Sequence, residues 1–136
     1  MQVEDIMTRS VLTIAPEQTL RDALELLRSK RIRHLPVVEH AKLVGIVTDR
    51  DVKRATPSLL SGVEREEYDR VLDATTVSQF MTRDPLTIEP DMALKAAVKV
   101  FIDRKVGALP VVADGRLIGI VTEIDLLRAF HAMLPD

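Results

Sequence analysis

Apolar residues in this chain follow two spacings that alternate along its length. Leu20, Ala23, Leu24 and Leu27 fall at i, i+3, i+4 and i+7, and Leu94, Ala97, Val98 and Phe101 repeat the stripe, so each set predicts an amphipathic helix. Elsewhere the apolar residues run consecutively. Ile46-Val47 and Ile120-Val121 read as strands buried on both faces, and the glycine before each, Gly45 or Gly119, permits a close backbone approach or an unusual φ/ψ. Short strands are also predicted at Leu12-Thr13-Ile14 and Leu86-Thr87-Ile88, ended by Pro16 and Pro90. Strands starting at Ile32 and Val106 run into Leu35-Pro36-Val37-Val38 and Leu109-Pro110-Val111-Val112, where the proline must sit at an edge, a bulge or a strand start. His40-Ala41-Lys42 and Asp114-Gly115-Arg116 then turn the chain into return strands at Leu43 to Val47 and Leu117 to Val121, and Asp-Gly is a strong hairpin signal. Each half therefore reads strand, helix, strand, strand, helix.

The halves are copies. Met7 and Met81 lie 74 residues apart (81 − 7), and the same shift aligns Thr8 with Thr82, Leu35–Val38 with Leu109–Val112 and Arg54-Ala55 with Arg128-Ala129 without a gap. It also aligns Gly45-Ile46-Val47-Thr48-Asp49-Arg50-Asp51 with Gly119-Ile120-Val121-Thr122-Glu123-Ile124-Asp125. A repeat of this kind marks one unit used twice. Met7 and Met81 suit a core-filling role.

Thr48-x-x-Asp51 and Thr122-x-x-Asp125 have the spacing of a capping box, which explains the residues by helix initiation alone. The same geometry offers free N–H donors and a positive dipole end to an anion, and a carboxylate that can accept from the two hydroxyls of a ribose. Its appearance twice after the same strand favours the ligand reading. Thr19-x-x-Asp22 is a further box, and because Ala93 stands where Thr19 does, Asp91 is expected to start the second copy of that helix. Between the copies, Ser61-Gly62-Val63-Glu64 reads as a box opening a short amphipathic connector with Val63, Tyr68, Val71 and Leu72 as its apolar positions and Glu64, Glu66 and Glu67 on a solvated face. The tail from Leu126 through Phe130, Met133 and Leu134 either closes the core or meets another subunit. The resulting division is 1–55, connector 56–76, and 77–136.

Composition narrows the chemistry. With 46% hydrophobic residues but only 3% aromatic ones and no Trp, the core must be aliphatic, as in an α/β protein. The absence of cysteine removes disulfides, thiolate catalysis and Cys-based zinc sites, and three histidines without paired spacing argue against a metal centre. A net charge of −2 with interspersed signs and few stacking aromatics argues against nucleic acid. No apolar run reaches membrane-spanning length and the N-terminus is acidic, which predicts a soluble cytoplasmic protein. No nucleophile–base–orienter set can be named, so an enzyme ranks last.

Two units with a Met-Thr start, a Leu-Pro-Val-Val strand and a Gly-Ile-Val-Thr-x-x-Asp junction resemble the cystathionine beta-synthase (CBS) domain pair, or Bateman module. The likeness covers about residues 3–55 and 77–130, and the small stand-alone form is similar to CBS-pair proteins of the acetoin-utilisation type. The resemblance implies a tandem pair of β-α-β-β-α units about a pseudo-twofold axis, often paired again into a disc-like homodimer, without catalysis or a catalytic cofactor. It further implies an adenosine-containing ligand of the AMP, ADP or ATP class in clefts between the units, and a regulated partner protein. S-adenosylmethionine or NAD is the alternative ligand, and a ligand-free dimerisation scaffold the alternative function.

Carried over by position, the resemblance makes Asp51 and Asp125 the ribose-binding acids, with Thr48 and Thr122 on ribose or phosphate. Asp51 would work with Leu86, Val106, Gly107 and Ala108, and Asp125 with Leu12, Ile32, Arg33 and His34. Arg33 and His34 would grip phosphate, consistent with bidentate guanidinium contacts. The copies differ here, since Gly107-Ala108 replaces Arg33-His34 and Ile124 replaces Arg50. The Asp51 cleft would rely on Arg50 and Arg83, and the Arg33/His34 cleft is expected to favour the more phosphorylated ligand.

Overall fold

The computed structural model describes residues 1–136 as a mixed α/β chain. It packs as two units, one formed by Leu12–Pro85 and the other by Met1–Val11 together with Leu86–Asp136. Packing units and sequence copies therefore differ in one respect. Each unit holds the body of one copy and the lead-in segment of the other.

In the Leu12–Pro85 unit, α1 (Leu20–Ser29) is opened by Thr19, whose hydroxyl accepts from the Asp22 N–H at 3.2 Å while the Asp22 carboxylate accepts from the Thr19 N–H at 3.1 Å. The hairpin of β1 (His34–Glu39) and β2 (Lys42–Thr48) turns through His40 and Ala41, both left-handed with φ of 51° and 67°. This is the primed turn that matches the strand twist. Strand β1 starts two residues later than the apolar run suggested, because Arg31 is left-handed and the Ile32 N–H still bonds the Leu27 carbonyl of α1. The first strand, expected at 12–14, is a single parallel pairing: Ile14 donates to the Pro36 carbonyl and accepts from the Val38 N–H, both at 3.0 Å. Strand β2 leads directly into α2 (Asp49–Ala55).

The connector belongs to this unit's core. Its helix α3 (Arg65–Ala74) buries Leu72 with Leu20, Ala23, Leu35 and Val37. The Arg21 guanidinium on α1 reaches Asp73 at 2.6 Å and Asp69 at 3.1 Å. These bonds raise the Arg21 pKa, and the bond from Arg21 holds the Asp73 carboxyl below its ordinary value. The expected Ser61–Glu64 box does not form. Ser61 ends a 3-10 turn (Leu59–Ser61) and donates to the Ser58 carbonyl, Gly62 turns the chain with φ of 90°, and Glu64 precedes α3 without a side-chain cap. Helix α4 (Val77–Phe80) and β3 (Thr82–Arg83), which pairs antiparallel with Gly45 and Ile46, complete the unit.

The other unit repeats the plan with α5 (Leu94–Arg104), β4 (Ala108–Ala113), β5 (Arg116–Thr122) and α6 (Glu123–Met133). Ile88 forms the single parallel pairing with Val111, and Asp114-Gly115 makes the primed turn. The core holds Val3, Met7, Ile88, Ala97, Leu109, Val111 and Val121. Asp91 does not start α5: Ala93 precedes the helix without a side-chain bond, and the Leu94 N–H donates to the Met1 carbonyl at 2.9 Å instead. The same backbone bond is made at α1, where the Leu20 N–H donates to the Thr75 carbonyl alongside the Thr19 cap.

The lead-in segments dock in the same way at both places. Leu94 donates to Met1 and Val3 to Met92, just as Leu20 donates to Thr75 and Val77 to Gln18. Every member of one pair lies 74 residues from its counterpart.

Candidate functional site

The two strand-to-helix junctions form as capping boxes. At the first, the Thr48 hydroxyl accepts from the Asp51 N–H at 3.1 Å, and Asp51 Oδ2 accepts from the Thr48 N–H at 3.0 Å. At the second, the Thr122 hydroxyl accepts from the Asp125 N–H at 3.3 Å, and Asp125 Oδ2 accepts from the Thr122 N–H at 2.9 Å and the Thr122 hydroxyl at 3.1 Å. A threonine cap contributes about 1 kcal/mol to its helix. The first N–H of each helix is also satisfied, because the Asp49 N–H bonds the Arg33 carbonyl and the Glu123 N–H bonds the Gly107 carbonyl.

A third residue meets each carboxylate. Thr8 donates its hydroxyl to Asp125 Oδ1 at 3.1 Å, and Thr82 lies 3.2–3.3 Å from both oxygens of Asp51. Both threonines sit on lead-in segments. Neither was assigned a role from the sequence, although the constant 74-residue shift that aligns Thr8 with Thr82 was the available signal.

The close approach of the lead-in segments in both copies depends on a glycine, Gly45 in β2 and Gly119 in β5. A Cβ on Gly119 would stand 2.7 Å from the Met7 sulfur and 3.0 Å from the Thr8 carbonyl; on Gly45 it would stand 2.7 Å from the Met81 sulfur and 2.9 Å from the Thr82 carbonyl. Close approach, rather than an unusual φ, is therefore what these two positions require.

The residues named from the sequence fall into two groups. Leu12, Ile32, Arg33, His34, Thr48, Arg50, Asp51 and Arg83 belong to the Leu12–Pro85 unit, and Leu86, Val106, Gly107, Ala108, Thr122 and Asp125 to the other. Within the first group the structure brings Arg33 and His34 beside the Thr48–Asp51 junction, since His34 pairs with Thr48 across β1 and β2. Within the second, Ala108 pairs with Thr122 in the same register. Arg50 and Arg33 are exposed, and the Arg83 guanidinium bonds the Ser78 carbonyl at 3.1 Å. Asp125 is buried, at 8% exposure, whereas Asp51 is half-buried. The two junctions thus share a backbone geometry and differ in charge and access. No three His, Asp or Glu side chains are grouped to hold a metal ion, and no helix is long and apolar enough to cross a membrane.

Residues 3–58 and 77–132 each match the CBS domain. The chain belongs to the CBS domain family. As a CBS pair it is similar along nearly its whole length to several solved structures. A Vibrio cholerae structure described under acetoin utilization (AcuB) shares 32% identity with a TM-score of 0.82, covering 98% of this chain and 92% of the other. CBSX2, of Arabidopsis thaliana, solved in complex with AMP, shares 33% identity with a TM-score of 0.81 and 97% coverage of both chains. The CBS pair of MJ0100, in complex with 5′-methylthioadenosine and S-adenosyl-L-methionine, shares 29% identity with a TM-score of 0.79 and 98% coverage of both.

Proposed function

We propose that this CBS pair is a non-catalytic cytoplasmic regulator that binds an adenosine-containing ligand of the AMP, ADP or ATP class, works as a homodimer and passes ligand occupancy to a partner protein. The observation that carries the reading is the doubled Thr-x-x-Asp junction, in which a carboxylate is held at the start of a helix by a backbone N–H and a threonine hydroxyl. A ribose supplies hydroxyl donors to such a carboxylate, and a phosphate suits cationic side chains nearby. AMP in the similar CBSX2 supports that ligand class, and 5′-methylthioadenosine with S-adenosyl-L-methionine in the similar MJ0100 pair supports an adenosine-containing ligand more broadly.

In this reading the stretches 1–55 and 77–136, joined by 56–76, each supply one acid. One acid is Asp51, with Thr48, Arg50 and Arg83 in its own unit, and the other is Asp125, with Thr122 in its own unit. The burial of Asp125 favours unequal sites, with that junction leaning towards a structural role. A ligand can bias the pair only through its different affinities for two arrangements of the chain.

Thermal unfolding with AMP, ADP, ATP, S-adenosylmethionine and NAD tests the proposal. A ligand present at about 100 times its Kd adds about 2.7 kcal/mol of stability. No stabilisation by any of the five would leave a scaffold that joins proteins without a small molecule.

A further inference from the structure

Because the chain has no cysteine, its five methionine thioethers are its most readily oxidised side chains. Met1 and Met133 are exposed, near the two ends of the chain. Met7 and Met81 sit differently, each in the slot that a glycine leaves on a strand. A Cβ on Gly119 would stand 2.7 Å from the Met7 sulfur, and one on Gly45 the same distance from the Met81 sulfur. The slots match, but access to them does not. Met7 is 8% exposed and lies in the core with Val3 and Val121, whereas Met81 is half-buried at the margin of the core around Leu72 and Val77. A reagent in solvent therefore reaches the Met81 sulfur before that of Met7.

The slot at Gly45 suits a thioether and not a sulfoxide. Gly45 pairs with Val37 on one side and Arg83 on the other, so the backbone beneath the sulfur is engaged in the sheet. The polar atom facing the slot is the Thr82 carbonyl, 2.9 Å from the same Cβ position, and it is an acceptor. A sulfoxide oxygen is an acceptor too, so in this slot it would lose its water and gain no donor. Once the side chain leaves, the lead-in keeps only the two residue pairs of β3, Gly45 with Arg83 and Ile46 with Thr82. Pairing that short is marginal without side-chain packing. The Thr82 hydroxyl, 3.2–3.3 Å from both Asp51 oxygens, moves with the segment.

We propose that Met81 is a modification site for hydroperoxides, and that its sulfoxide drives the lead-in out of the Gly45 slot and frees Asp51 from Thr82. In the step itself, a sulfur lone pair attacks one peroxide oxygen, and an S–O bond forms as the O–O bond breaks. With hydrogen peroxide, the proton of the transferred hydroxyl leaves with the other oxygen as water. Sulfur gives up two electrons and the peroxide takes them. A methionine sulfoxide reductase reverses the change, so the modification can act as a switch. The response needs no nucleotide, and it reaches the Thr48–Asp51 junction through Thr82. The buried Met7 makes the corresponding contact at Gly119 the insensitive one.

Hydrogen peroxide treatment of the intact chain, read by peptide mass spectrometry and amide hydrogen exchange, tests the proposal. Met1 and Met133 set the rate for open thioethers; Met81 is expected to follow them and Met7 to come last. In chains carrying the Met81 sulfoxide, exchange at Thr82 and Ile46 should rise about tenfold or more, while Thr8 and Ile120 exchange as before. Met81→Leu conserves volume and should abolish the response to peroxide, whereas Met7→Leu should keep it. Sulfoxide reductase should return the exchange rates to their starting values. Oxidation of Met81 no faster than Met7 overturns the site. A Met81 sulfoxide with Thr82 and Ile46 still protected, or the same acceleration in peroxide-treated Met81→Leu, overturns the release.

Discussion

Replacing Gly119 by alanine tests how the lead-in segment is held. The new methyl would stand 2.7 Å from the Met7 sulfur, 3.0 Å from the Thr8 carbonyl and 3.1 Å from Met7 Cγ. The thioether can swing aside, but the carbonyl cannot, because Thr8 exchanges two backbone bonds with Ile120, each 2.9 Å long. Overpacking of this kind costs about 1–3 kcal/mol. The alternative, withdrawal of the segment, forfeits those two bonds at about 1 kcal/mol each. Removing a strand glycine returns about 0.5–1 kcal/mol of conformational entropy. Either route leaves a net loss of about 1–2 kcal/mol, and Gly45→Ala should behave alike. Urea unfolding reads the loss, and amide hydrogen exchange at Thr8 and Ile120 separates the routes, since withdrawal exposes both amides. Stability within about 0.5 kcal/mol of wild type, with both amides still protected, would refute the proposed contact.

Three further outcomes follow from the packing. Leu72→Ala should cost about 3 kcal/mol in urea unfolding, because Leu72 is 1% exposed and the connector helix is part of a core. Ala41→Gly should raise the unfolding free energy by up to about 1 kcal/mol, since the Ala41 φ of 67° is strained for an L side chain. Asp73 has its pKa depressed by the bond from Arg21, so its contribution is complete above the ordinary carboxylate range and is lost as pH falls through the depressed value. Urea melts of wild type and Arg21→Ala should therefore differ at neutral pH and converge in strong acid.

The junctions were legible because their determinants are local. Thr48 and Asp51, or Thr122 and Asp125, fix a helix start within four residues, and Asp114-Gly115 fixes a turn within two. The docking of the lead-in segments was not legible, for a reason that follows from the duplication. Met7-Thr8 and Met81-Thr82 are the same dipeptide, and Gly45 and Gly119 offer the same gap, so local chemistry permits either pairing. Only the path of the chain decides that Met7 meets Gly119 and Met81 meets Gly45. Asp91 does not cap α5 because Ala93 takes the N-cap place that Thr19 holds in α1, two residues beyond Asp91, and its methyl group can accept no bond. For the connector, the apolar stripe around Leu72 showed that one face needed cover. It could not show that the cover was α1, because Arg21 and its partners Asp69 and Asp73 lie far apart in the chain.

Isothermal titration with AMP, of the wild-type chain and of Asp51→Asn and Asp125→Asn, addresses the central claim most directly. The amide keeps the size of the side chain but removes the anionic acceptor from a hydrogen bond worth about 1.5–3 kcal/mol, so affinity at the altered junction should fall about tenfold or more. Saturable binding by wild type, weakened by at least one of the two substitutions, is the result expected of a nucleotide-sensing CBS pair. A folded wild-type chain that takes up no AMP, or one whose affinity neither substitution changes, would contradict it.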